Sequence, residues 1–154
     1  MMTEFQAVAP ALAQALVKRG YAALTPVQMA VLDPELKNAD MLVSAQTGSG
    51  KTVAFGLAIA TNLLGEDEKF GTAGKPVALI VAPTRELALQ VKRELDWLYE
   101  STGAVITSCV GGMDARAERR ALERGTHIVV GTPVRLCDHI RRNGLDTSHL
   151  KAVI

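Results

Sequence analysis

Apolar residues Phe5, Val8, Leu12 and Leu16 recur at three- and four-residue steps, the period of a helix with one buried face, and Gly20 is placed to end it. Pro10 sits early enough in that segment to be tolerated. A second helix opens at Thr25-Pro26-Val27-Gln28, where Thr25 can cap, Pro26 suits the first helical position and Gln28 completes a capping box. From residue 41 the pattern changes. Apolar, β-rich runs at 41–45, 77–82, 105–110, 127–131 and 152–154 alternate with helical periodicity near 51–64, 85–100, 114–124 and 133–142. Strands apolar on both faces and separated by helices predict an α/β fold with a parallel sheet covered on both sides. The polar, glycine-rich stretch 65–76 reads as a surface loop.

Composition narrows this picture only a little. A chain of 154 residues that is 48% hydrophobic is enough for one domain with a real core, and a net charge of +1 excludes a polybasic arm or an acidic tail. Charge is uneven, however: residues 1–110 carry 9 basic and 11 acidic side chains, and residues 111–154 carry 8 and 5, which favours an anion-binding surface late in the chain. Cys109 and Cys137 lack metal or redox spacing and read as reduced core thiols. Neither a signal peptide nor a membrane span is apparent, so a cytoplasmic location is expected. Arg116, Arg119, Arg120 and Arg124 interleave with Asp114, Glu118 and Glu123 and read as a solvated helix face, while His127, His139 and His149 have no ligand spacing and read as structural or exposed.

The chemistry concentrates in Ala45-Gln46-Thr47-Gly48-Ser49-Gly50-Lys51-Thr52, between an expected strand and an expected helix. That context is what a phosphate-binding loop requires: glycines turn successive N–H groups into one concavity, and the helix N-terminus behind them adds its positive end. Lys51 would reach the β- and γ-phosphates and the Thr52 hydroxyl would hold Mg²⁺. Ala45 stands where the strict pattern has glycine. A second acidic Mg²⁺ ligand is not found: Asp138 and Asp146 have no apolar strand immediately before them.

Phe5, "GYAALTPVQ" (20–28), "AQTGSGKT" (45–52), "PTRELALQ" (83–90), Gly111-Gly112 and "GTPVRL" (131–136) together resemble the Q motif and motifs I, Ia, GG and Ib of DEAD-box RNA helicases, in order and spacing. The resemblance covers nearly the whole chain and argues against the DEAH group, which lacks the Q motif. It implies the first RecA-like domain, with residues 1–40 as the Q-motif helical segment and 41–154 as part of the ATP-binding domain, reaching to just before the DEAD carboxylates. It further implies ATP and Mg²⁺ as cofactors, adenine read by Gln28 with Phe5 stacked on the base and Thr25 fixing the glutamine, and Tyr21 packing beneath. Thr84, Arg85, Gly112, Thr132 and Arg135 are carried over as contacts to the RNA sugar-phosphate backbone. Val134 departs from the family's glycine, and a β-branched side chain there crowds an approaching backbone.

On that resemblance the parent activity is RNA-stimulated ATP hydrolysis coupled to local duplex unwinding, with a second RecA-like domain as partner and RNA bound irrespective of sequence. The fragment alone is expected to be inactive and to self-associate through exposed sheet edges. Two other classes remain: a small phosphate-loop kinase, which leaves Gln28 and the paired helix starts unexplained, and an RNA-binding scaffold with a vestigial loop. A preference for adenine over guanine nucleotides separates the first reading from both.

Overall fold

The computed structural model describes residues 5–154. Its centre is a four-stranded, all-parallel sheet of β1 (Ala78–Val81), β2 (Ile106–Cys109), β3 (Ile128–Gly131) and β4 (Ala152–Val153), in the order β2-β3-β1-β4. Ala78 lies opposite Ile128 on one side and Ala152 on the other, and Ile106 opposite Ile128. Six helices surround it: α1 (Pro10–Lys18), α2 (Pro26–Val31), α3 (Lys51–Leu64), α4 (Arg85–Leu98), α5 (Ala115–Arg124) and α6 (Pro133–Arg141).

Strand alternation divides the core into two layers. Ala78, Ile80, Ile128 and Val130 face one side, where they pack with Leu57 and Leu63 of α3, Val91 and Leu95 of α4, and Leu12 and Leu16 of α1. Leu79, Cys109 and Val129 face the other, against Leu122 of α5 and Leu136 of α6. Covering both faces is what allows β3 to be buried at every position. The predicted helix starts appear as expected: Thr25 and Gln28 form the capping box, and Thr84 caps α4 by accepting from Leu87 N–H at 3.2 Å. Tyr21 packs on Trp97 with ring centroids 5.8 Å apart.

The loop at 65–76 is pinned to the sheet. His127 Nδ1 accepts from Val105 N–H, its Nε2 faces Gly71 O at 2.9 Å, and its ring stacks on Phe70 at 4.5 Å. Those partners fix the proton on Nε2.

Three sequence expectations need correction. Residues 41–45 form no strand: Leu42 is fully exposed, and Met41 and Val43 are more than 40% exposed. A strand needs a laddered neighbour, and among the described residues β4 pairs only with β1, leaving an open cleft of about 800 Å³ between 36–41, α3 and 150–154. Glu118 is not on a solvated face but 7% exposed, because it shares the inward stripe of α5 with Leu122. Cys137 is free but exposed, since α6 turns Leu136 and His139 inward instead.

Candidate phosphate loop and anion-binding edge

Residues 46–50 turn from the irregular segment 41–45 into α3. Gly48 and Gly50 adopt φ of 82° and 84°, the left-handed region that glycine enters without a Cβ penalty. At Gly50 a Cβ would also run into the Gln28 side-chain amide, so the position is closed to other residues twice over. Ser49 ties the turn by donating from Oγ to Gln46 O at 2.6 Å, and Lys51 Nζ donates to Ala45 O at 2.8 Å. Among the described residues, no acceptor takes the N–H groups of Gly48, Gly50, Lys51 or Thr52. These donors sit at the positive end of a 14-residue helix, so the loop fits a phosphate chain by its own chemistry. Thr52 adds a hydroxyl in the first turn of α3.

Gln28 is wholly buried, and both ends of its amide are engaged. Oε1 accepts from Thr25 N–H at 2.9 Å, and Nε2 donates to Gly50 O at 3.2 Å. The Q-motif glutamine thus carries the capping box and is bonded to the phosphate loop. Phe5 is 6% exposed within the core beside α1, so its ring is packed and not presented to solvent.

A second group gathers where β1, β2 and β3 end, since parallel strands deliver their following loops to one edge. Arg85, the first residue of α4, lies over Gly112: a Cβ on that glycine, whose φ is 81°, would come within 2.7 Å of Arg85 Nη1. Arg85 Nη2 is 3.4 Å from Met113 Sδ. Thr132 begins α6 without using its side chain as a cap, which leaves the hydroxyl available. Val134, 84% exposed, stands two residues on, in the first turn of α6.

Arg135 is differently placed. Its guanidinium donates to Met113 O at 3.2 Å from both terminal nitrogens and to Glu118 Oε1 at 2.9 Å, and its side chain is 16% exposed. The same Glu118 oxygen accepts from His139 Nε2 at 2.8 Å, while Oε2 accepts from Val110 N–H at 3.0 Å. Sequence reasoning missed Glu118, His139 and Met113 as parts of this edge. The available signal was Glu118 standing four residues before Leu122 on an otherwise apolar stripe. Cys109 Sγ completes a sulfur, oxygen and nitrogen set within 4.8 Å. That set has the chemistry of metal ligands, but the Arg135 guanidinium already supplies the positive charge, and burial, with Glu118 nearby, pushes the thiol up to about 12.

A turn of free N–H groups and a lysine at a helix start, beside a parallel sheet, defines a phosphate-loop nucleotide-binding domain of α/β type. The model of the DEAD/DEAH box helicase family matches residues 25–154, and the chain belongs to that family. It is 41% identical over 148 residues to DEAD-box ATP-dependent RNA helicase 53 of Oryza sativa subsp. japonica, covering 96% of this chain and 24% of that protein. It is 38% identical to DEAD-box ATP-dependent RNA helicase CshA of Geobacillus kaustophilus, covering 99% of this chain and 32% of the relative. The chain therefore spans about a quarter to a third of these relatives. Among solved structures, a hypothetical ATP-dependent RNA helicase from Sulfolobus tokodaii superposes with a TM-score of 0.79 at 29% identity, over 93% of this chain and 39% of that one. Among the described residues no helix is long and apolar enough to cross a membrane.

Proposed function

We propose that this chain is the ATP-binding and partly RNA-binding N-terminal portion of a DEAD-box ATP-dependent RNA helicase. The observation that carries the reading is the set of four free N–H groups on Gly48, Gly50, Lys51 and Thr52 at the start of α3. Phosphates take those donors and draw Lys51 away from Ala45 O. Residues 45–52 cradle the phosphates, and the Thr52 hydroxyl would hold Mg²⁺, which would supply charge neutralisation to the phosphates. Gln28, steadied by Thr25, reads adenine after exchanging its bonds to the backbone. Stacking by Phe5 requires that ring to leave the packing around α1.

RNA lies along the edge formed by Thr84, Arg85, Gly112 and Thr132, gripped by its backbone irrespective of sequence, with Arg135 immediately behind. A second RecA-like domain closes over this edge in the full helicase, and ATP hydrolysis there is coupled to local unwinding. Alone, the chain turns over no ATP: its assigned site includes no carboxylate to join Thr52 at Mg²⁺ or to orient water. The open edge of β4 and the exposed apolar residues 41–43 support self-association. The location proposed is the cytoplasm, and the free thiols fit a reducing compartment of that kind.

Calorimetry with ADP, GDP and pyrophosphate, followed by titration with a single-stranded oligonucleotide over a salt series, tests the reading. ADP binds more tightly than GDP, and RNA binding is weak and falls steeply with salt. Arg85→Ala weakens all RNA sequences about equally. Equal affinity for ADP and GDP, or RNA binding that survives high salt, contradicts it.

A further inference from the structure

Glu118 is a buried carboxylate with every oxygen in use, on a helix that touches no residue of the phosphate loop or of the Thr84-Arg85 helix start through these bonds. Its two oxygens do separate work. Oε2 satisfies the Val110 N–H at the end of β2, and Oε1 holds both Arg135 and His139 of α6. Arg135 in turn takes Met113 O with both terminal nitrogens. The turn at Gly111-Gly112 is therefore clamped at each side, by Val110 before it and Met113 after it, and both clamps lead to one carboxylate.

We infer that Glu118 is a positioning residue of the RNA-gripping edge, which turns Arg135 inward as a strut for the Gly111-Gly112 turn and so withholds that arginine from phosphate contact. The inference rests on the RNA-binding reading above and revises the role of one residue within it. A guanidinium is suited to the task, because its planar fork can hold a carbonyl and a carboxylate at once, which a lysine ammonium on a flexible stem does not reproduce. The turn so fixed presents Gly112 beneath Arg85, which leaves Arg85 as the arginine exposed on the edge.

Glu118→Gln isolates the role. Glutamine has a single acceptor oxygen. It keeps the buried Val110 N–H, and its amide faces His139, whose neutral ring can accept; the Arg135 bond is the one given up. If Arg135 serves as a strut, E118Q weakens binding of a single-stranded oligouridylate about tenfold (~1.4 kcal/mol). The slope of log Kd against log salt stays unchanged, because no phosphate contact is lost, and ADP affinity stays at the wild-type value. Arg135→Lys, which retains the charge, gives the same loss and slope, and the double variant binds no more weakly than either single one. Should E118Q fail to melt cooperatively, Arg135→Gln decides the matter: weaker binding at an unchanged salt slope supports the strut, and a slope shallower by about 0.7 marks a lost phosphate contact and overturns the inference.

If Arg135 is a phosphate contact, E118Q instead removes a negative charge, frees the guanidinium and tightens RNA binding; that result overturns the inference. Unchanged RNA affinity in both variants overturns it alone. Absence of salt-sensitive RNA binding by the wild-type chain overturns the RNA reading and this inference together.

Discussion

Gln28 Nε2 donates to Gly50 O across 3.2 Å, joining a residue of α2 to the last residue of the phosphate loop. The same amide's Oε1 closes the capping box with Thr25, so one buried side chain caps the start of α2 and braces a binding loop. Gln28→Ala should lower stability by about 1–3 kcal/mol, since it removes a cap and leaves buried polar groups unpaired. It should weaken ADP about tenfold more than pyrophosphate, the discrimination expected of a bidentate base contact. Paired calorimetric titrations check this; equal losses would assign the whole effect to the Gly50 tether.

Lys51→Ala should abolish most ATP and ADP affinity and leave the fold intact. The lysine is exposed, and among the described residues its side chain bonds only Ala45 O. Circular dichroism and a thermal melt within about 0.5 kcal/mol of wild type would agree with ordinary surface substitution. A collapsed melt would show that the Lys51–Ala45 contact holds the loop together.

The two free thiols should separate cleanly in reactivity. Burial holds Cys109 protonated, its value raised to about 12, and a raised value means that alkaline pH up to about 10 still leaves the thiol uncharged. Cys137 is exposed. Iodoacetamide at pH 8 should label Cys137 alone, and Cys109 only on unfolding, as read by peptide mass spectrometry. By linkage, the preference for the neutral Cys109 thiol contributes stability below the ordinary thiol value near 8.5 and loses it as pH climbs toward 12. Cys109→Ala should therefore flatten the alkaline fall in Tm.

Self-association should depend on the irregular segment 41–45 beside the open cleft. Leu42 is fully exposed, with Met41 and Val43 partly so, and the outer edge of β4 carries no strand among the described residues. Leu42→Asp should reduce the concentration-dependent rise in light scattering without lowering Tm. Unchanged scattering would exclude this segment from the contact.

Much of this architecture was legible because its signals are local. The caps at Thr25 and Thr84, the helix at Lys51–Leu64 and the apolar cores of β1 and β3 are written in short stretches of sequence. What failed was non-local. The run at 41–45 has strand composition, but a ladder depends on what lies alongside, and among the described residues no strand pairs with it. Glu118 carries the composition of a surface helix, yet Val110, Arg135 and His139, remote in sequence, supply the hydrogen bonds that let it be buried. The resemblance implied backbone contacts at both Thr132 and Arg135, whereas the fold leaves the hydroxyl uncommitted and bonds the arginine to Glu118 and Met113.

The bond from Lys51 Nζ to Ala45 O gives the phosphate loop an internal rival for its own lysine. Any anion entering must compete with a carbonyl oxygen that is tethered six residues away and never diffuses off. Apparent affinity is then the intrinsic affinity scaled by the fraction of molecules in which the lysine has let go. A chain of phosphates, with several charges to offer, clears that threshold; chloride or acetate, with one, gains too little from the exchange. On the proposed reading the Lys51–Ala45 contact should sort entering anions by charge, favouring a polyphosphate over chloride or acetate.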